Sequence, residues 1–291
     1  MKRWFLPVLI LLFAIPCWPK AFAQSPMPEI KPGKNSVAIR GQRQKLYFYP
    51  GAGAAPHHKI LFAPGDGGHR GFAIKIAENL ARMGYDVYAL DTKHYLSSFT
   101  GKTHLTDSDV IADWRRLADC VTGDEDEKIT LVGWSTGAGL ATLAGADANK
   151  TRYDGLIAIS LGKTNILGWR WADNFTYLTG KTPNEPTFQT DEYLPKIAPL
   201  PVFVIQSSND QFIPNEEAEA LFVTTKRPKH FALIHANNHS FESNRDGFFA
   251  ALQQGMRWIK RREARHAGQT GMGRSKIEAV KAARTLARVH G

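Results

Sequence analysis

The chain has 291 residues, 43% of them hydrophobic and 11% aromatic, which excludes a disordered or collagen-like protein and suits one large domain or two small ones. It holds 37 Lys and Arg against 27 Asp and Glu, a formal charge of +10 that raises the question of nucleic acid or an anionic membrane. The excess sits at the two ends and leaves a neutral body, so a broad nucleic-acid footprint, which needs cations clustered across a folded face, is not expected.

Residues 1–23 contribute +3 through Lys2, Arg3 and Lys20. A charged start, the apolar run Trp4–Ile15 and the small-residue site Ala21-Phe22-Ala23 before Gln24 form the pattern of a cleavable secretory signal peptide. The run is short for a bilayer span, which needs about 20 apolar residues. A periplasmic or secreted protein is the expectation. Removal of the signal takes Cys17 and leaves Cys120 alone, so no intrachain disulfide is expected. Residues 24–36 read as a polar, Pro-rich lead-in, and 37–262 as the folded domain.

Within that domain Val37–Arg40 and Leu46–Tyr49 read as an antiparallel start. Ile60–Ala63 is a short buried strand that runs into Pro64-Gly65-Asp66-Gly67-Gly68. Phe72, Ile76, Leu80 and Met83 share a helical face. Asp86–Leu90 is a strand, Asp109–Val121 a helix, Ile129–Val132 a strand and Ala138–Ala148 a helix of small residues. Leu156–Ile159 and Val202–Ile205 are strands, Glu216–Thr224 a helix, Phe231–Ile234 a strand and Arg245–Ile259 a last helix. This alternation predicts an α/β fold with a mostly parallel sheet and helices on both faces. One stretch, 162–200, has no clear period and is rich in Trp, Tyr, Pro and Asn, as lids and binding loops are.

Gly133-Trp134-Ser135-Thr136-Gly137 lies between a strand and a small-residue helix, the setting in which G-x-S-x-G is a nucleophile elbow. A serine nucleophile needs a base and the base an orienting acid, in the chain order Ser, Asp or Glu, His. Asp210 follows the Val202–Ile205 strand and His239 follows the last strand, both at the edge where open α/β sheets bind ligands. His235, nearer its strand, is expected to be packed or hydrogen-bonded there; Asp173 and Asp191 fall in the irregular stretch with no strand to hold them. The oxyanion then requires two backbone N–H donors: Thr136, next after the nucleophile, and Asp66, with Gly67 as the second choice, in the loop after the first buried strand. Gly162-Lys163-Thr164 lacks the earlier glycine of a phosphate loop, since position 157 is Ile157. His57, His58 and His69 have no metal-site spacing and read as solvated loop histidines. No cofactor or metal is implied.

These residues, with Leu90–Leu96, the Thr106–Trp114 segment and the ending His239-Ser240-Phe241, give a chain that resembles the α/β-hydrolases over about Lys59–Ile259. Within them it is similar to the bacterial virulence-protein VirJ/AcvB-type exported hydrolases. That resemblance implies the α/β-hydrolase fold and a periplasmic serine esterase. Some relatives are linked to hydrolysis of aminoacylated phosphatidylglycerol, such as the lysyl form, and some to type IV secretion. The substrate class expected is an ester, including a lipid-linked one. A peptidase or depolymerase with the same triad and a non-catalytic periplasmic adaptor are the alternatives. Trp169, Trp171, Phe175, Tyr177 and Tyr193 are candidates either to cap an acyl pocket or to form a local core. The basic tail, 263–291, departs from the resemblance. Within it Lys281, Arg284 and Arg288 share a helical face that could rest on an anionic lipid surface; the plain alternative is a solvated terminus.

Overall fold

The computed structural model describes residues 29–123, 127–149, 152–169 and 184–265. The expected signal peptide, most of the basic tail, and Trp171, Asp173, Phe175 and Tyr177 lie outside the described residues.

The order of elements follows the hydrophobic runs. The chain opens with β1 (Gly33–Ile39) and β2 (Gln42–Tyr49), then β3 (Lys59–Ala63), α1 (Phe72–Arg82) and β4 (Asp86–Leu90). Next come α2 (Thr92–Phe99), α3 (Asp107–Thr122), β5 (Ile129–Trp134), α4 (Thr136–Gly145) and β6 (Tyr153–Ile159). A two-stranded ribbon, β7 (Thr164–Ile166) with β8 (Thr187–Gln189), leads into α5 (Thr190–Ile197). The chain closes with β9 (Val202–Ser207), α6 (Asn215–Thr224), β10 (Lys229–Ile234) and α7, a helix described over 245–265.

Eight strands form one sheet in the order β1-β2-β4-β3-β5-β6-β9-β10. β1, β2 and β4 pair antiparallel, and every pair from β4 to β10 is parallel. β5, β6 and β9 are buried on both faces, which is why they read as continuous apolar runs and not as alternating ones. One face packs Leu61, Leu131, Leu156 and Val204 against α2, α3, α4 and α5; the other packs Phe62, Val132, Ile157 and Phe203 against α1 and α7. This is the α/β-hydrolase fold.

Several element ends move from the sequence reading, and two regions change most. β1 starts at Gly33, inside the stretch read as lead-in, because an edge strand buries one face only and its outward residues are polar. The irregular stretch 162–200 contains the ribbon and α5. There Asn165 Nδ2 donates to Thr190 Oγ1 at 2.8 Å and Thr190 Oγ1 to the Gly162 carbonyl at 2.8 Å, tying the ribbon to the start of α5.

Candidate active site

The candidate nucleophile, Ser135, is built first. β5 ends at Trp134, and Ser135 is the N-cap of α4 with φ 56° and ψ −127°. A non-glycine residue at positive φ is strained, and such strain persists only where packing over-determines it. The flanking glycines supply that packing. A Cβ on Gly137 would stand 2.1 Å from the Ala63 carbonyl oxygen, and one on Gly133 would stand 2.4 Å from that of Gly137. The strand, the turn and the helix therefore touch backbone to backbone. Ser135 N–H donates to the Ile159 carbonyl at 2.9 Å, fixing the turn to the neighbouring strand.

The candidate acid and base come from the ends of the last two strands, β9 and β10. Asp210, beyond β9, is 9% exposed, and His239, beyond β10, is 7% exposed. His239 Nδ1 lies 2.7 Å from Asp210 Oδ2. The other carboxylate oxygen accepts the backbone N–H groups of Phe212 at 3.0 Å and Ile213 at 3.1 Å. Burial alone would push the Asp210 carboxyl up. The His239 hydrogen bond and charge, with those two N–H groups, outweigh it and hold the group below the usual carboxylate range. Asp210 is thus ionised and can only accept, so Nδ1 carries the proton. In the neutral ring Nε2 is then left with its lone pair, as a general base requires.

His239 is held on further sides by residues that no motif announces. Its ring centroid is 5.6 Å from that of Trp134 and 5.3 Å from that of Phe212. Its backbone N–H donates to Gln211 Oε1 at 3.0 Å. His239 and Ser135 line one cavity of about 460 Å³. Among the described residues the Ser135 hydroxyl makes no hydrogen bond to the imidazole; such contacts are often loose without substrate and tighten in the reacting complex.

The loop after β3 forms another wall. Gly68 N–H donates to the Gly65 carbonyl at 3.0 Å, closing a tight turn. A Cβ on Gly65 would lie 3.2 Å from that of Ser135. Asp66 and Gly67 both line the cavity. Thr136 is the first residue of α4, where an N–H has no carbonyl one turn earlier in the helix.

Other sequence candidates go elsewhere. His235 is exposed and not packed, because it stands past the end of an edge strand, while its backbone carbonyl accepts from Asn244 Nδ2 at 3.1 Å. Asp191 sits in the first turn of α5, 3.5 Å from Lys163. The three early histidines are half-buried and each has a side-chain partner. His57 Nδ1 meets Asp86 at 3.2 Å, and His58 Nε2 meets Asp154 at 3.0 Å. His69 stacks on Tyr47 with centroids 3.9 Å apart and meets the Tyr49 hydroxyl at 2.8 Å, with burial pushing its ring down to about 4. Among the described residues no group of His, Cys, Asp and Glu has the arrangement of a metal site. Trp169 and Tyr193 pack at the edge of the core on the α3 and α4 side, not in the cavity wall. Sequence reasoning missed Arg70, Lys75 and Arg245 in that wall, since they come from segments with no motif.

Fold, strained elbow and a histidine hydrogen-bonded to a carboxylate together define the class: a serine hydrolase on the α/β-hydrolase fold. The family model of serine aminopeptidases, S33, matches residues 54–161, a span that includes the loop after β3 and the Ser135 elbow but not Asp210 or His239. Among solved structures the chain is similar to Est1E from Butyrivibrio proteoclasticus, at 15% identity and TM-score 0.59, over 78% of this chain and 98% of that one. It is similar to a dienelactone hydrolase from Anabaena variabilis, at 17% identity and TM-score 0.56, over 78% and 95%. A membrane phospholipase A described as a bacterial virulence factor matches at 16% identity and TM-score 0.56, over 78% and 86%. At these identities the likeness is one of fold. No match was found among curated proteins.

Proposed function

We propose that the protein is an exported serine esterase of the bacterial envelope that hydrolyses a carboxylic ester through an acyl-enzyme. The observation that carries this is the His239–Asp210 pair, oriented at 2.7 Å, beside a strained Ser135 on a shared cavity. In the proposed reaction His239 Nε2 takes the Ser135 proton as Oγ attacks the ester carbonyl. The N–H groups of Thr136 and Asp66, with Gly67 as the alternative, receive the oxyanion. His239 then returns the proton to the leaving alkoxide. Water, deprotonated by the same nitrogen, cleaves the acyl-enzyme and frees the acid. Asp210 holds the imidazole in the competent tautomer and offsets the charge of the imidazolium.

The finer reading is an ester of the aminoacyl-phospholipid class, such as lysyl-phosphatidylglycerol, acted on in the periplasm. It rests on the resemblance to exported virulence-protein hydrolases and on the signal-peptide pattern of residues 1–23. A peptidase with the same triad is the second reading, favoured by the match to the serine aminopeptidase model over 54–161.

Ser135→Ala is expected to abolish turnover of a p-nitrophenyl ester and labelling by a fluorophosphonate while the circular dichroism stays that of the parent. Unchanged turnover by the purified variant would refute the assignment. Release of lysine from lysyl-phosphatidylglycerol, against hydrolysis of aminoacyl-p-nitroanilides, separates the lipid reading from the peptidase one.

A further inference from the structure

The catalytic cavity has a charged wall that the triad does not use. Arg70 and Lys75 are exposed, and no ion pair to a carboxylate is formed by either among the described residues. Arg70 folds back over the candidate oxyanion loop: a Cβ on Gly67 would lie 3.4 Å from its Nε and 3.6 Å from its Nη2. Lys75 stands one turn after Phe72 on α1, and both residues line the cavity. Arg245, at the start of α7, reaches the same space. Its guanidinium carbon is 4.6 Å from the centre of the Phe72 ring, and its Nη2 is 3.7 Å from Glu242 Oε1. Phe72 in turn packs edge-on against Trp134, at 5.3 Å, directly before the nucleophile.

Two acids, Asp66 and Glu242, also line the cavity, against three cations. They do not cancel the field evenly. Glu242 Oε2 already accepts from Asn238 Nδ2 at 2.9 Å, and its other oxygen is too far from Arg245 for a close hydrogen bond. The Arg245 fork, resting on Phe72, keeps donors for a planar, doubly accepting partner. α1 begins at this wall without a side-chain cap and with no acid in its first turn, which adds to the same positive sign.

We propose that Arg70, Lys75 and Arg245 form an anion subsite of the catalytic cavity, and that the ester cleaved there carries a carboxylate or a phosphate next to the scissile bond. This deepens the esterase reading and rests on it. The anion would lie against Arg245 and Arg70 while the carbonyl oxygen faces the loop after β3. Binding energy from the anion then positions the reacting carbonyl, the usual way a remote group of a substrate raises turnover.

Two matched ester pairs test it on the full chain. Mono-p-nitrophenyl glutarate against p-nitrophenyl pentanoate places a carboxylate on the acyl side. Butyryl glycerol 3-phosphate against monobutyrin places a phosphate on the alcohol side. The expected result is a kcat/KM ratio, anionic over neutral, of about tenfold or more in at least one pair, the size of charge-assisted contacts. The responding pair identifies the anion. That ratio should fall toward one in R70Q/K75Q and in R245Q, with R245K intermediate because it keeps charge and loses the fork. The exposed pair Arg70 and Lys75 makes the first variant independent of the packing around Phe72. A ratio near one in both pairs, or a ratio that survives every variant, overturns the subsite. Calorimetric titration of glutarate and glycerol 3-phosphate into Ser135→Ala protein reads the subsite without turnover; binding that R245Q and R70Q/K75Q do not weaken also overturns it. Failure of the neutral esters and of fluorophosphonate labelling, by contrast, counts against the esterase reading.

Discussion

Buried charge in this protein is handled in two opposite ways. Asp210 is kept ionised by partners that supply hydrogen bonds and positive charge. Asp113, on α3, is pushed up to about 6 by burial, although the Tyr95 hydroxyl donates to its Oδ2 at 2.8 Å and Arg40 stands 4.0 Å away. The second case has a consequence for stability. In the unfolded chain an Asp titrates near pH ~4. Between that pH and about 6 the native state therefore holds more protons than the unfolded one, and stability falls as pH rises. Asp113→Asn keeps an oxygen for Tyr95 and has no proton to lose. The difference in unfolding free energy, variant minus parent, should become more favourable by about 1–2 kcal/mol between pH 4.5 and pH 7, allowing for solvent screening. Urea titrations at the two pH values measure it, and a difference that does not change with pH would show that Asp113 titrates normally.

At the scale of elements, the elbow shows how small residues carry chemistry. Gly137 lets α4 begin against the end of β3, so one contact sets both Ser135, the proposed nucleophile, and the loop that faces it. Gly137→Ala would force the Ala63 carbonyl away from the turn. The shift displaces both groups, and misplacement by about 1 Å can cost about a hundredfold in turnover. The expected outcome is a loss of that order in kcat with little change in KM, read by steady-state ester hydrolysis and with folding checked by circular dichroism. A parent-like kcat would mean that the β3 loop takes no part in catalysis. This elbow is legible in the sequence because it needs glycines at fixed spacing between a strand and a helix. The buried parallel strands are legible because both their faces are apolar. α2 is harder to read: Tyr95, Leu96 and Phe99 give only a short apolar stripe over eight residues, and what starts it is the Asp91 carboxylate accepting the His94 N–H at 3.1 Å. α3 starts two residues earlier than its apolar period suggests, because Thr106 and Asp109 form a reciprocal cap. The order of Ser135, Asp210 and His239 can be read from strand ends. The supports of His239 and the cationic wall cannot, since Gln211, Phe212, Arg70 and Arg245 meet only when separate loops converge.

Over the whole molecule the charge of +10 resolves into a neutral body and two basic ends. No helix among the described residues is long and apolar enough to cross a membrane. The tail adds cations beyond the folded body. α7 limits where the tail can be cut. Phe248, Leu252, Met256 and Ile259 are buried against the sheet, and Arg262 lies over the Trp258 ring at 5.4 Å. A chain ending at Ile259 would damage the last turn of that packing, whereas one ending at Arg265 leaves it whole. The proposed membrane contact predicts that the full chain sediments with vesicles containing phosphatidylglycerol at low salt, while the chain ending at Arg265 does not. Beyond Arg265 the tail keeps Arg274, Lys276, Lys281, Arg284 and Arg288 against Glu278 alone. Each cation near an anionic surface contributes about 1 kcal/mol, so their loss should weaken binding by about two orders of magnitude or more. The interaction should also fade as salt shortens the reach of surface charge to within about 10 Å. Equal sedimentation of the two chains would remove the tail as a membrane contact and leave it a solvated terminus, with Ser135, Asp210, His239 and their cavity unaffected by the cut.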